Sequence, residues 1–159
     1  MPTLDDIQND AIGCTEYIES MTQMYRGGFL RQKQEYSPKQ EILDRLKTYS
    51  NDFTIVAVFA DWCGDARRAI PVLALVEEYT GKKITALGGM TKPSYGSSKF
   101  WAVPPSPQEV DTFEITSSPT ILIFNKEGKE IGRIKTKQKM TPTIEEEVLK
   151  IIEDSLVSK

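Results

Sequence analysis

The chain predicts an α/β fold: a central mixed sheet built as βαβ and then ββα, with an N-terminal helical extension. Three observations carry that prediction. An apolar run at residues 53–60 leads straight into a helical pattern and then into a second short apolar run, Ile84-Thr85-Ala86-Leu87, closed by Gly88-Gly89. Strand, helix and strand with short joints form a parallel βαβ unit with a right-handed crossover. Further on, Thr120 and the apolar run 121–124 are separated from a return strand at residues 130–136 by the turn signal Asn125-Lys126-Glu127-Gly128, so these two strands pair antiparallel. Helical spacing of Ile144, Val148, Ile151 and Ile152 closes the pattern. Residues 1–50 are expected to be a helical extension packed on a domain spanning residues 51–159.

Bulk composition sets the class and excludes some chemistry. With 159 residues, 39% hydrophobic and 27% charged, the chain is long enough to bury a core without staples. It has no histidine, which rules out a Ser-His-Asp or Cys-His pair and any His-ligated metal. The two cysteines, Cys14 and Cys63, are too few for a four-cysteine zinc site or a disulfide scaffold. No metal or other cofactor is therefore expected. The first residues lack the basic-then-apolar signature of a signal peptide, and no apolar run approaches the ~20 residues that span a bilayer. A reducing, cytoplasmic setting without membrane contact is the expectation.

Along the extension, Leu4, Ile7, Ala11, Cys14, Ile18, Met21 and Tyr25 recur at spacings of three and four, which predicts one amphipathic helix. Thr3 and Asp6 suggest a capping box at its start, and Gly27-Gly28 a stop. Cys14 lies on the apolar stripe and is expected to be a packed hydrophobe rather than a redox group. The stretch from Gly27 to Ser37 resembles a soft joint. Ser37-Pro38-Lys39-Gln40 then suggests a cap, a first-turn proline and a short helix through Ile42, Leu43 and Leu46.

The nearly unbroken apolar character of residues 53–60 suits a strand covered on both faces. The helix beyond it runs from Cys63 to Thr80-Gly81 with Pro71 inside. A cysteine leaving a buried strand and entering a helix sits beside unpaired N–H groups and the positive end of the dipole, which favour thiolate. After the second strand, residues 90–107 form a long loop carrying Tyr95, Phe100, Trp101 and several prolines. Because the first two strands are parallel, this loop leaves the same sheet edge as Cys63, as a lid, a substrate wall or a cover for the sheet. A short helix through Glu109 to Phe113 follows. Arg133, Lys135 and Lys137 are expected to share one face of the return strand, where basic side chains protect an edge against aggregation. No nucleic-acid motif accompanies them, so no nucleic-acid partner is expected.

Trp62-Cys63-Gly64, Pro71 eight residues after the cysteine, and Ser118-Pro119-Thr120 before an apolar strand together resemble the thioredoxin family over roughly two thirds of the chain. The resemblance implies a thioredoxin-like three-layer fold and thiol–disulfide exchange on protein substrates. It makes Cys63 the attacking cysteine and Trp62 its flanking tryptophan. It also makes Pro119 the proline held in the cis form and Ser118 the residue whose backbone pairs with an extended substrate. Trp62, Gly64, Asp65, Ser118 and Pro119 are the implied substrate-binding residues.

Two positions depart from the family. Ala66 stands where the resolving cysteine belongs, whether naturally or by engineering, and Ala57 stands where many thioredoxins bury an acid. Exchange proceeds through a mixed disulfide that a second thiol must break, so release would need glutathione, a reductase, another thiol or Cys14, the last disfavoured by its place on the apolar stripe. The alternative is a redox-inactive thioredoxin-fold module that binds peptides or proteins.

Overall fold

The computed structural model describes residues 1–157; the last two residues of the 51–159 domain lie outside it. Helices α1 (Cys14–Ser20), α2 (Gln23–Glu35) and α3 (Gln40–Tyr49) precede strand β1 (Thr54–Val58). Next come α4 (Gly64–Thr80), β2 (Thr85–Leu87), α5 (Glu109–Thr112), β3 (Thr120–Phe124), β4 (Glu130–Lys135) and α6 (Ile144–Val157). The sheet order is β2-β1-β3-β4. β1 runs parallel to β2, with Ala57 beside Ala86, and antiparallel to β3, with Val58 beside Thr120. β3 and β4 form the antiparallel hairpin.

Alternation along the strands divides the interior into two cores. Ala57, Phe59, Ile121 and Ile123 face a core made with Ile18, Phe29, Leu46, Ile70, Leu73 and Val148 of the helices. Val56, Val58, Ala60, Leu122 and Phe124 face the other core, closed by Ile7, Met90, Val110, Phe113 and Ile115. Helices, sheet, and a layer made of the N-terminal segment, α5 and the loop before it are the three layers. A central strand with Val56 to Ala60 all fully buried has the two-sided cover that its apolar run implies.

The stripe from Leu4 to Tyr25 is not one helix. Leu4–Asp6 forms a single 3-10 turn with the Thr3–Asp6 capping box in place. The chain then extends along the open edge of β2, where Gly13 lies opposite Thr85. Ala86 donates its N–H to the Ile12 carbonyl and Cys14 donates to the Ile84 carbonyl, both at 2.9 Å. Pairing that covers an exposed strand edge outweighs the helical spacing of the side chains. Met21, in extended conformation, separates α1 from α2.

Gly27 and Gly28 also depart from expectation, since both lie inside α2 and no soft joint exists before Tyr36. A Cβ at Gly28 would fall 2.8 Å from Cδ of Arg67, so the glycine gives the Arg67 side chain its path across α2. α3 likewise begins later than Ser37 suggests: Lys39 occupies the cap position, and its N–H is received by the Glu145 carboxylate of α6 at 3.2 Å. Lys137 does not share a face with Arg133 and Lys135. β4 ends at Lys135, and Thr136, with φ of 72°, turns the chain away.

Candidate functional site

β1 delivers the chain to the N-terminus of α4, and the residue at the junction is Cys63. Its φ and ψ of −81° and 127° are those of a cap, its carbonyl receives the Arg67 N–H at 3.0 Å, and its own N–H reaches the Ala60 carbonyl. Gly81, in the left-handed region at φ 73°, ends the same helix. Cys63 is half-buried, and Ala66, one helical turn on, is completely buried.

Antiparallel pairing of β1 with β3 brings residues 118–119 to the same edge. The Cys63 thiol donates to the Ser118 carbonyl at 3.3 Å, and the Ser118 hydroxyl accepts the Ala60 N–H at 2.8 Å. The Ser118–Pro119 peptide bond is cis, and the Pro119 carbonyl receives the Thr136 N–H at 2.7 Å. Cys63, Ser118 and Pro119 thus come from two stretches over fifty residues apart in sequence. Asp65 points along the helix to Arg68, 2.5 Å away, rather than toward the sulfur.

The 90–107 loop does emerge beside the cysteine. Trp62, 43% exposed, lies against Trp101 with ring centroids 6.2 Å apart, and the Lys92 ammonium sits 5.1 Å from the Trp62 ring. The base of the loop is fixed: Ala102 donates to the Thr91 carbonyl at 2.8 Å, and the Thr91 N–H reaches the Ser106 hydroxyl at 2.8 Å. Tyr95 and Phe100 remain exposed on it.

One contact of the site had no signal in the sequence. Tyr17, from α1, donates its hydroxyl to Asp61 Oδ1 at 2.6 Å, two residues before the cysteine. Burial first, then the hydrogen bond and the charge of Asp61, push the Tyr17 phenol well above its ordinary range, so it stays a donor. The two groups meet over Gly88, where a Cβ would fall 1.8 Å from the Tyr17 hydroxyl. Gly88→Ala is expected to break this contact and to cost roughly 1–3 kcal/mol, as overpacking does. Urea denaturation of the two proteins is the check, and equal midpoints would refute the expectation. Cys14 stands apart from all this: it is fully buried, and desolvation, followed by the nearby Glu77, pushes its thiol pKa up.

Comparison with known proteins bears on this geometry. A family model described as thioredoxin matches residues 12–86, which span α1 through β2 and include the Trp62-Cys63-Gly64 junction. Over these residues, just under half of its length, the chain is similar to the thioredoxin family. Solved structures superpose on the chain at low identity. A protein of unknown function from Pseudomonas aeruginosa superposes with a TM-score of 0.73 at 12% identity, covering 98% of this chain and 99% of that one. An HIV epitope-scaffold superposes with a TM-score of 0.67, also at 12% identity, over 92% of this chain and 94% of that one. The thioredoxin of Fasciola hepatica matches 60% of this chain and 78% of its own, at 18% identity and a TM-score of 0.39. No curated protein matches the chain in sequence.

Proposed function

We propose that this thioredoxin-like chain is a thiol–disulfide oxidoreductase in which Cys63 attacks disulfides of protein substrates. The observation that supports this most is the junction of the Cys63 sulfur with the Ser118 carbonyl, 3.3 Å apart beside Pro119. When Cys63 gives up its proton to attack, the donor that the Ser118 carbonyl now accepts from is removed. That carbonyl is then free to accept an N–H from an extended visiting chain, as an added strand would supply. Trp62, Gly64 and Asp65 border the approach.

The chemistry balances only with an outside thiol. The Cys63 thiolate attacks one sulfur of R–S–S–R′, the S–S bond breaks, and R′S⁻ leaves and takes up the proton that Cys63 lost. The product is the mixed disulfide Cys63–S–S–R. Since Ala66 has no sulfur, a first glutathione attacks the Cys63 sulfur and releases RSH. A second glutathione regenerates Cys63 and leaves as oxidised glutathione. A dithiol reductase would serve in the same way. Two unpaired cysteines and this need for a thiol donor suit a reducing, cytoplasmic compartment. Among the described residues, no helix is long and apolar enough to cross a membrane.

The test is direct. Incubation with a disulfide-bridged peptide is expected to add one peptide half to Cys63, seen by mass spectrometry, and to add nothing to a Cys63→Ser variant. Absence of the adduct from the unmodified chain would sink the reading. The burial of a sulfur-free residue at position 66 favours one rival, a binding module without turnover. That rival predicts peptide binding with no glutathione-supported insulin reduction.

A further inference from the structure

The face that α2 lays against α4 is cationic where it meets the site. Arg67 crosses Gly28 and brings its guanidinium to Gly64, where a Cβ would lie 3.8 Å from Nη2. Arg31, Arg67 and Arg68 border a depression of about 390 Å³ together with Gln32 and Glu35. A second depression, about 230 Å³, shares Gln32 and Arg68 with the first, begins at Asp65 and runs to Lys137 past Ala69, Val72 and Ile144. The two form one groove that starts within two residues of Cys63. Arg68 is paired with Asp65, while Arg31, Arg67 and Lys137 carry no ion pair among the described residues.

From this groove we infer the substrate class: the chain prefers protein segments that carry Asp or Glu beside the cysteine to be attacked. The inference rests on the oxidoreductase reading for the attack itself, and on the groove alone for the preference. Three exposed, unpaired cations in a concave, partly apolar channel attract carboxylates, and opposite charge steers encounter as well as binding. A peptide fits better than a nucleic acid for two reasons. Glu35 and Asp65 interrupt the cations, so a continuous phosphate backbone would meet like charge, while a peptide can place neutral residues there. The groove also takes in Thr136, whose N–H holds the Pro119 carbonyl at 2.7 Å, next to the backbone that the oxidoreductase reading assigns to an extended peptide.

The experiment separates preference from chemistry. In the Cys63→Ser variant, labelled cysteine-free peptides rich in Glu and Asp, in Ser and Gly, or in Lys are titrated by fluorescence anisotropy at low salt. The acidic peptide is expected to bind about tenfold tighter than the neutral one, to lose that advantage at about 0.5 M salt, and to rank last in an Arg31→Glu/Arg67→Glu double variant. Both arginines are exposed, so the fold should survive their reversal. Equal affinities overturn the preference, and so does a single-stranded oligonucleotide that displaces the acidic peptide at lower concentration. The unmodified chain is then given the same peptides as cysteinyl thiopyridyl disulfides. Failure of all of them to release thiopyridone refutes the attack by Cys63 while leaving the binding result standing.

Discussion

Replacing Ala66 with cysteine is expected to accelerate dithiothreitol-driven insulin reduction on the order of a hundredfold over the unmodified chain, whose mixed disulfide must wait for an outside thiol. The geometry makes this the most sensitive single position. Cys63 caps α4, and residue 66 lies one turn along, where side chains three apart are neighbours at about 5–6 Å between Cβ atoms, close enough for a disulfide after small adjustment. With a second thiol there, the mixed disulfide resolves within the protein: the introduced sulfur attacks that of Cys63, the substrate leaves as a thiol, and dithiothreitol reduces the new internal disulfide. Ala66 has no exposed surface, so the added sulfur must be fitted against its neighbours, and stability should fall by roughly 1–3 kcal/mol if it overpacks them. The insulin turbidity assay, run beside Cys63→Ser and the Cys63→Ser/Ala66→Cys pair, checks the rate. Silence of the Ala66→Cys protein, with glutathione failing to support turnover in the parent, would leave the site a place that holds peptides and does no exchange.

The same residues explain what was legible in advance. Strands β1 and β3 are visible because two-sided burial leaves nothing but apolar residues along most of their length, and α4 because its ends carry a cap cysteine and Gly81. Parallel and antiparallel pairing then forces Cys63 and residues 118–119 onto one edge, so the central contact of the site follows from topology. What was hidden are the long-range choices. Nothing local distinguishes Cys14 on a helical stripe from the same residue bonded, along with Ile12, to the edge of β2. Gly27-Gly28 has the composition of a stop, yet what decides Gly28 is an arginine thirty-nine positions away. Tyr17 falls off the regular apolar spacing, and only the assembled fold shows that its hydroxyl supports the loop before Cys63.

Glu147 is expected to be the most costly single carboxylate to lose. Its side chain is nearly buried at 3% exposure, and it accepts the N–H groups of Met140 at 2.7 Å, Thr141 at 3.0 Å and Lys139 at 3.0 Å. The Thr141 hydroxyl adds a fourth donor at 3.2 Å. Burial works to raise the Glu147 pKa, but these hydrogen bonds together prevail and hold it below the ordinary carboxylate range. Glu147→Ala strands three backbone donors at once, which should cost roughly 3 kcal/mol and lower the thermal midpoint by about 10 °C. The pH dependence has a fixed sign. A group whose folded pKa is depressed contributes fully above its unfolded value of about 4.3 and loses that contribution as pH falls through the folded value. The difference in midpoint between the unmodified chain and Glu147→Ala should therefore be widest near neutrality and shrink below about pH 4, with Glu147→Gln intermediate and flat. Scanning calorimetry across that range decides it, and a gap independent of pH would mean that packing, not the carboxylate, does the holding. The consequence reaches the site, because the segment that Glu147 fastens begins just beyond Thr136, whose N–H holds the Pro119 carbonyl, and carries Lys137 on the wall of the cationic groove.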